Sequence, residues 1–241
     1  MRLSDDELRQ IDKIIIIAAG TSFYAGMVAK YAIEHWCRIP VEVELSSEFR
    51  YRDPIVDHGT LVVAISQSGE TADTLQAIRH ARVQRARVLA ICNTNGSTIP
   101  RESDAVIYTH AVPRSGSPRP RVTSPSWSPA TCSRSTSPRS STRFGDEINR
   151  TLAELDAIPE AIETVLAGAE EIYTLAREHV DSRTFLFLGR HAGYPVALEG
   201  ALKLKELAYR HAEASPPASS STARSRWSRT GFRCCASSRR R

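Results

Sequence analysis

Six consecutive residues, Ser66-Gln67-Ser68-Gly69-Glu70-Thr71, combine three hydroxyls, a side-chain amide and a glycine. Such a set suits an anion held without a countercharge. Hydroxyls and backbone N–H groups donate, and glycine lets the main chain approach closely. The same residues also suit a plainer role, in which Ser68 or Thr71 caps the following helix. One cap needs one hydroxyl and three are present, which favours the anion site. The flanking sequence supplies the positioning elements. Leu61-Val-Val-Ala-Ile65 is an apolar run of buried-strand type, and Ala72 to Arg82 has a helical pattern. The hydroxyls therefore sit at the carboxyl end of a strand, where open α/β sheets bind ligands. There a helix start adds free N–H groups and the positive end of its dipole.

The alternation of apolar run and helical pattern extends along the chain. Lys13–Ala18 reads as a buried parallel strand, and Gly20-Thr21-Ser22 opens a helix running to about Trp36. Further strands are expected at Val41–Leu45, Val88–Cys92 and Ala105–Thr109. This predicts an α/β fold: a three-layer parallel sheet with helices on both faces and right-handed crossovers. Ser4 and Glu7 stand at capping-box spacing, so the acidic start of the chain reads as a helix and not as a secretory leader. Gly145–Val180 reads as helical, with Ile158, Ile162, Val165 and Leu166 on its apolar faces. A strand at Thr184–Leu188, a turn at Gly189–Gly193 and a helix from Pro195 to Tyr209 follow. Strand, small-residue turn and long helix near residue 13 recur near residue 184, an echo that any pair of α/β units would also share.

A net charge of +5 over 241 residues would suggest a nucleic-acid partner, but the charge is unevenly placed. Residues 112–143 hold ten Ser, six Pro and six Arg, and residues 215–241 hold eight Ser and seven Arg, with no Asp, Glu or Lys in either. Without those 13 arginines the remaining 19 basic and 27 acidic residues leave an acidic chain at −8. Cys132, Cys234 and Cys235 fall in the two tracts; Cys37 and Cys92 fall in patterned sequence and read as buried small apolar residues. No Cys or His spacing is of the metal-ligating kind, and no apolar run has the length of a membrane span. No metal and no membrane partner are expected, and a reducing cytoplasm is the expected location. His35, His58, His80 and His179 read as surface residues, His191 as a turn residue, and His110 ends the fifth strand near a possible cleft.

Ile65-Ser-Gln-Ser-Gly-Glu-Thr71 resembles the phosphate-binding loop of the sugar isomerase (SIS) domain. Leu45-Ser-Ser-Glu-Phe-Arg-Tyr-Arg52 and Ala197-Leu-Glu-Gly-Ala-Leu-Lys-Leu-Lys-Glu206 narrow the resemblance to the isomerase half of the glutamine–fructose-6-phosphate aminotransferases. It covers residues 1–111, as a first and nearly complete lobe, and 144–214, as linker helices and the start of a second. The resemblance implies two flavodoxin-like SIS lobes, a cytoplasmic homodimer, no cofactor, and conversion of fructose 6-phosphate to glucosamine 6-phosphate. On it, Ser66, Gln67, Ser68 and Thr71 hold the sugar phosphate, and Thr21 and Ser22 contact the sugar. Glu206 is the base moving a proton between C1 and C2, and Lys203 assists ring opening and charge stabilisation. The two lie three residues apart on one helix face; spacing alone would make them a surface ion pair. Rival expectations are a non-catalytic phosphosugar-binding SIS module, a related SIS deglycase, and a nucleic-acid adaptor built on the Arg tracts. The acidic remainder and the resemblance speak against nucleic acid.

The resemblance stops at Ala111 and resumes at Phe144, and a one-base slip in reading frame accounts for the gap. The family segment due after Ala111 is GPEIGVAST. Codons GGT CCC GAG ATC GGG, read one base late, give GTC CCG AGA TCG GGG, which encodes Val112-Pro113-Arg114-Ser115-Gly116. The family segment FPAGELKHG decodes in the same direction to Ser215–Ala223. Thr222 then stands where the family has its ring-opening histidine. The glutaminase domain and the C-terminal Schiff-base lysine of the family are expected to be absent from this chain. The expectation is a fragment that does not turn over, with Trp127 and Trp227 lacking any structural role.

Overall fold

Four consecutive isoleucines in an extended chain must face two sides, and Ile14–Ile17 divide between two cores. Ile15 and Ile17 join Phe49, Val62, Ala77, Ile78 and Ile99 in one cluster, whereas Ile14 and Ile16 join Ala29, Ile33, Val41 and Val63 in the other. A strand buried on both faces is the signature of a parallel sheet covered by helices. Ile15, Ile16 and Ile17 are fully buried, and each contributes about 1.5–3 kcal/mol of transfer free energy.

The computed structural model describes residues 4–111 and 145–216, together with the backbone of 233–236. The tract 112–143, Thr222, Trp127 and Trp227 lie outside the described residues. The chain forms two compact units, Met1–Gly145 and Asp146–Arg241. In the first, the elements are α1 (Asp5–Arg9), β1 (Lys13–Ala18), α2 (Thr21–Cys37), β2 (Val41–Leu45), α3 (Ser46–Tyr51), β3 (Thr60–Ser66), α4 (Ala72–Val83), β4 (Arg87–Cys92), α5 (Thr98–Arg101) and β5 (Ala105–Tyr108). The five strands are all parallel in the order β2-β1-β3-β4-β5. The chain leaves β1 to one side and returns to β3 on the other, which makes a topological switch point between them. α2 covers one face through Ala29, Ile33 and Cys37, and α3, α4 and α5 cover the other through Phe49, Ile78 and Ile99. A Cβ on Gly26 would lie 2.9 Å from Ile16 Cγ2, so α2 rests on β1 as closely as glycine allows. The expected three-layer, flavodoxin-like architecture is present. The capping box of α1 is present too, with Ser4 Oγ accepting from Glu7 N and the Glu7 carboxylate accepting from Ser4 N.

Two short helices, α3 and α5, were not expected from periodicity. The long helical stretch is three helices: α6 (Gly145–Asp156), α7 (Ile158–Ala167) and α8 (Ala169–Glu178). Pro159 sits in the first turn of α7, where its missing N–H costs nothing, and Gly168 ends α7 and begins α8. Ile158, Ile162, Val165 and Leu166, read as the apolar faces of this stretch, are exposed. In the second unit β6 (Thr184–Leu188) lies between β7 (His211–Ser215) and β8 (Arg233–Ala236), all parallel, and α9 (Gly193–Ala208) packs on β6 and β7. β8 falls within 215–241, where no element was expected.

Candidate functional site

β1, β3, β4 and β5 end on the same edge of the first sheet, and a cleft of about 1030 Å³ opens there. Its floor is the β3–α4 turn, through Ser66, Gln67, Ser68 and Thr71. The turn is braced from within. Ser66 Oγ accepts from Gly69 N at 3.1 Å and shares a hydrogen bond of 3.2 Å with Thr71 Oγ1, while Ser68 Oγ accepts from Glu70 N at 3.2 Å. Gly69 has φ +67°, and a Cβ there would fall 2.0 Å from Ser97 Oγ. Only glycine fits both the left-handed backbone and the contact.

Thr71 is the N-cap residue of α4 and its hydroxyl makes no capping bond. The simple helix-cap role therefore fails for Thr71, whose hydroxyl faces Ser66 instead. Gly20, with φ +57°, is the N-cap residue of α2 and likewise supplies no side-chain cap. Gly20, Ser22 and Thr71 all line the cleft. Two helix starts without side-chain caps thus border one cavity, each bringing first-turn N–H groups and a positive dipole end.

The opposite wall comes from the ends of β4 and β5. Asn93 Oδ1 accepts from Thr109 Oγ1 at 2.8 Å and from Ala111 N at 2.6 Å, and its Nδ2 donates to Ala111 O at 3.0 Å. Asn93 N donates to Gln67 O at 3.3 Å, which ties this wall to the floor. Thr94, Asn95 and His110 also line the cleft. Sequence reasoning missed Asn93, Thr94 and Asn95, although Asn-Thr-Asn-Gly directly after the apolar run Val88–Cys92 carried the same signal as the Ser66 turn. Beneath the floor, Thr74 Oγ1 donates to Ser46 Oγ at 2.9 Å; both residues are buried, and Thr74 reaches the cleft. The described lining contains no Lys, Arg, Asp or Glu, and His110 is its one ionisable side chain. The cradle is neutral, as expected.

Of the residues predicted for the site, Ser22, Ser66, Gln67, Ser68 and Thr71 are brought together. Thr21 opens α2 but is buried and does not line the cleft. Lys203 and Glu206 lie on α9 in the second unit, where Lys203 Nζ is 2.6 Å from Glu206 Oε2 and 3.6 Å from Glu199 Oε1. Cys92 is fully buried at the end of β4, and burial pushes its thiol up to about 12, which removes it as a nucleophile. His80 is half-buried, with Nε2 3.4 Å from Asp53 Oδ1, so it is less of a surface residue than expected. Among the described residues no group of three or more His, Cys, Asp or Glu could hold a metal ion, and no helix is long and apolar enough to cross a membrane.

Residues 7–131, more than half of the chain, match the SIS domain family. The chain is 59% identical over 213 residues to the glutamine–fructose-6-phosphate aminotransferase (isomerizing) of Mycolicibacterium smegmatis, covering 88% of this chain and 34% of that protein. It is 59% identical over 215 residues to the enzyme of the same name from Streptomyces coelicolor, covering 88% and 35%. The chain thus spans about a third of the length of these curated relatives. The C-terminal domain of glucosamine-fructose-6-phosphate aminotransferase from Francisella tularensis superposes with a TM-score of 0.81 at 34% identity, covering 96% of this chain and 66% of that one. The switch-point cleft, its hydroxyl-rich floor and the matched span agree, and the chain belongs to the SIS domain family.

Proposed function

We propose that this chain is isomerase-domain sequence of a glutamine–fructose-6-phosphate aminotransferase and binds fructose 6-phosphate and glucosamine 6-phosphate in the first unit's cleft. The observation that carries this is the neutral cradle, in which hydroxyl side chains meet two helix starts without side-chain caps. A phosphate monoester is the anion such a cradle suits. Ser66, Gln67, Ser68 and Thr71 hold the phosphate, and Ser22 meets the sugar. Thr21 supports that contact from its buried place in α2. Glu206 moves the proton between C1 and C2 of the sugar, and Lys203 assists ring opening and charge stabilisation. The two groups form an ion pair, with Lys203 Nζ 2.6 Å from Glu206 Oε2. The relatives' names support this assignment of activity.

In this reading residues 112–143 and 215–241 are out-of-frame translations, and Thr222 replaces the histidine that opens the sugar ring. The chain as written therefore binds phosphosugar weakly at best and does not turn over. The cytoplasm is its place and a homodimer its assembly, both inferred from the resemblance. Calorimetry with fructose 6-phosphate against fructose tests the site. Binding of the phosphorylated sugar alone is expected, and it should vanish in the double variant S68A/T71A. Equal binding of both sugars refutes the assignment. Glucosamine 6-phosphate formed by purified protein supplied with fructose 6-phosphate and ammonia refutes the inactivity. Resequencing the DNA across codons 105–150 and 210–241 tests the frame slip, which fails if no inserted or deleted base restores the family frame.

A further inference from the structure

We propose that Glu70 is a positioning residue: its carboxylate latches the phosphate loop to α5 and so fixes the cradle's shape. A carboxylate inside an anion-binding loop demands explanation, because a negative charge facing the cleft would repel a phosphate. Glu70 does not line the cleft. Its Oε1 accepts from Thr98 N at 2.7 Å and from Thr98 Oγ1 at 3.1 Å, across 28 residues of sequence. These bonds hold the carboxyl below its ordinary range, led by the backbone donor of Thr98. Arg101 Nη2 donates to Thr98 Oγ1 at 3.2 Å, which places a positive charge behind the latch.

The arrangement is a helix cap delivered from a distance. Ser97 is the N-cap residue of α5 yet makes no capping bond, because its hydroxyl donates to Thr94 O at 2.8 Å. Glu70 supplies the missing acceptor. One residue earlier, Gly69 O accepts from Ile99 N at 2.9 Å. Two successive loop residues are therefore bonded to two successive residues of α5. The far end is rigid: Ile99 is fully buried, and Ser103 Oγ donates to Ile99 O at 2.8 Å. The cradle is thus referenced to the core through α5 and not only through its own strand and helix. The carboxylate accepts from two donors of Thr98 in this contact, with Arg101 close enough to lower its charge cost, and Glu70 does not line the cleft.

The proposal rests on the phosphate-binding reading above, and the test separates the two. Full-length chain and its E70Q and E70A variants are titrated with inorganic phosphate and with fructose 6-phosphate well below their melting temperatures, and amide hydrogen exchange is followed in parallel. Glutamine keeps an acceptor oxygen at Oε1, so E70Q should bind within about threefold of the parent. E70A loses a charge-assisted bond and should bind at least roughly tenfold more weakly. Exchange at Thr98 and Ile99 should quicken in E70A while Val62 in β3 stays protected, a pattern that general destabilisation would not give. If E70A does not fold, T98V keeps the backbone donor, loses the hydroxyl and should weaken binding about threefold. Parent-like binding and exchange in E70A overturn the latch, as does E70Q binding as weakly as E70A. Failure of the parent to bind either ligand overturns the phosphate reading, and the exchange pattern still decides the latch.

Discussion

Replacing Gly69 with alanine probes the β3–α4 turn and α5 together, and the structure sets the cost. Gly69 has φ +67°, a conformation that costs an L-residue with a side chain about 1–2 kcal/mol. The new methyl would lie 2.0 Å from Ser97 Oγ, 2.8 Å from Ser97 Cβ and 3.3 Å from Pro100 Cδ. Ser97 cannot swing clear, because it is buried and its hydroxyl donates to Thr94 O at 2.8 Å. Crowding of this kind in a packed site costs about 1–3 kcal/mol. The two terms total roughly 2–5 kcal/mol, a large part of the ~5–15 kcal/mol that holds a domain together. At roughly 2–4 °C per kcal/mol, the melting temperature should fall by about 4–20 °C. Calorimetric melting of G69A and of G69A/S97G is the assay. Glycine at 97 removes the collision but not the left-handed backbone, so the double variant should recover about half of the loss. The stabilisation conferred by fructose 6-phosphate should also disappear in G69A. Melting of G69A within about 2 °C of the parent, or no recovery in G69A/S97G, would refute the geometry on which the site is built.

Phe49→Ala removes a fully buried ring from one of the two cores and should cost about 3–5 kcal/mol in urea unfolding. Val83→Ala, at a side chain that is 84% exposed, should stay within about 0.5 kcal/mol, and comparable losses at both positions would contradict the assigned core. Cys92 should resist alkylation in the native protein at pH 8 and react only after unfolding, because its thiol is raised to about 12; mass mapping that finds it labelled at the unfolded rate would exclude its burial. Bonds from Ser4 lower the Glu7 carboxyl from 4.5 to about 2, with the Ser4 backbone donor the largest cause and Arg87 a lesser one. A depressed folded value stabilises the protein above the unfolded value, and that stability drains away as pH falls from about 4.5 towards 2. The stability gap between parent and E7Q should therefore shrink between pH 6 and pH 3; a gap that is constant or widens on acidification refutes the bonding of the Glu7 carboxylate in the capping box.

The strands of the first unit were legible because burial on both faces writes an apolar run with no periodicity to confuse. Lys13–Ala18 and Leu61–Ile65 could be little else once Gly20 and Gly69 bounded them. α3 was hidden for the opposite reason. It starts at Ser46, directly where β2 ends, with no turn residue to mark the change, and only Phe49 going into the core fixes it. α5 is a single turn containing Pro100 and has no periodicity to read. The floor of the site was legible because its residues are contiguous. The far wall was not, because Asn93 and His110 come from different strands and meet Ser66 only through the strand order β1-β3-β4-β5. The breaks at Pro159 and Gly168 were open to reading from residue type alone, and a continuous amphipathic pattern masked them.

The two units repeat a topology and diverge at the turn that matters. In each, the first strand lies between the second and the third: β1 between β2 and β3, and β6 between β7 and β8. In each, the helix that follows the first strand ends on a residue in the left-handed conformation, Arg38 after α2 and Tyr209 after α9. The glycine that ends the first strand behaves differently. Gly20 has φ +57°, and a Cβ there would meet nothing within 4 Å, so the β1–α2 turn stands open at the cleft. A Cβ on Gly189 would lie 2.0 Å from Gly193 O and 2.8 Å from Tyr194 Cα, so the β6–α9 turn folds onto its own backbone. An open turn leaves its helix start available to a ligand, whereas a closed one consumes that space. The echo read from the sequence is therefore an echo of scaffold. The neutral cleft belongs to the first unit, and in the second the ion pair of Lys203 and Glu206 sits along the helix and not at its start.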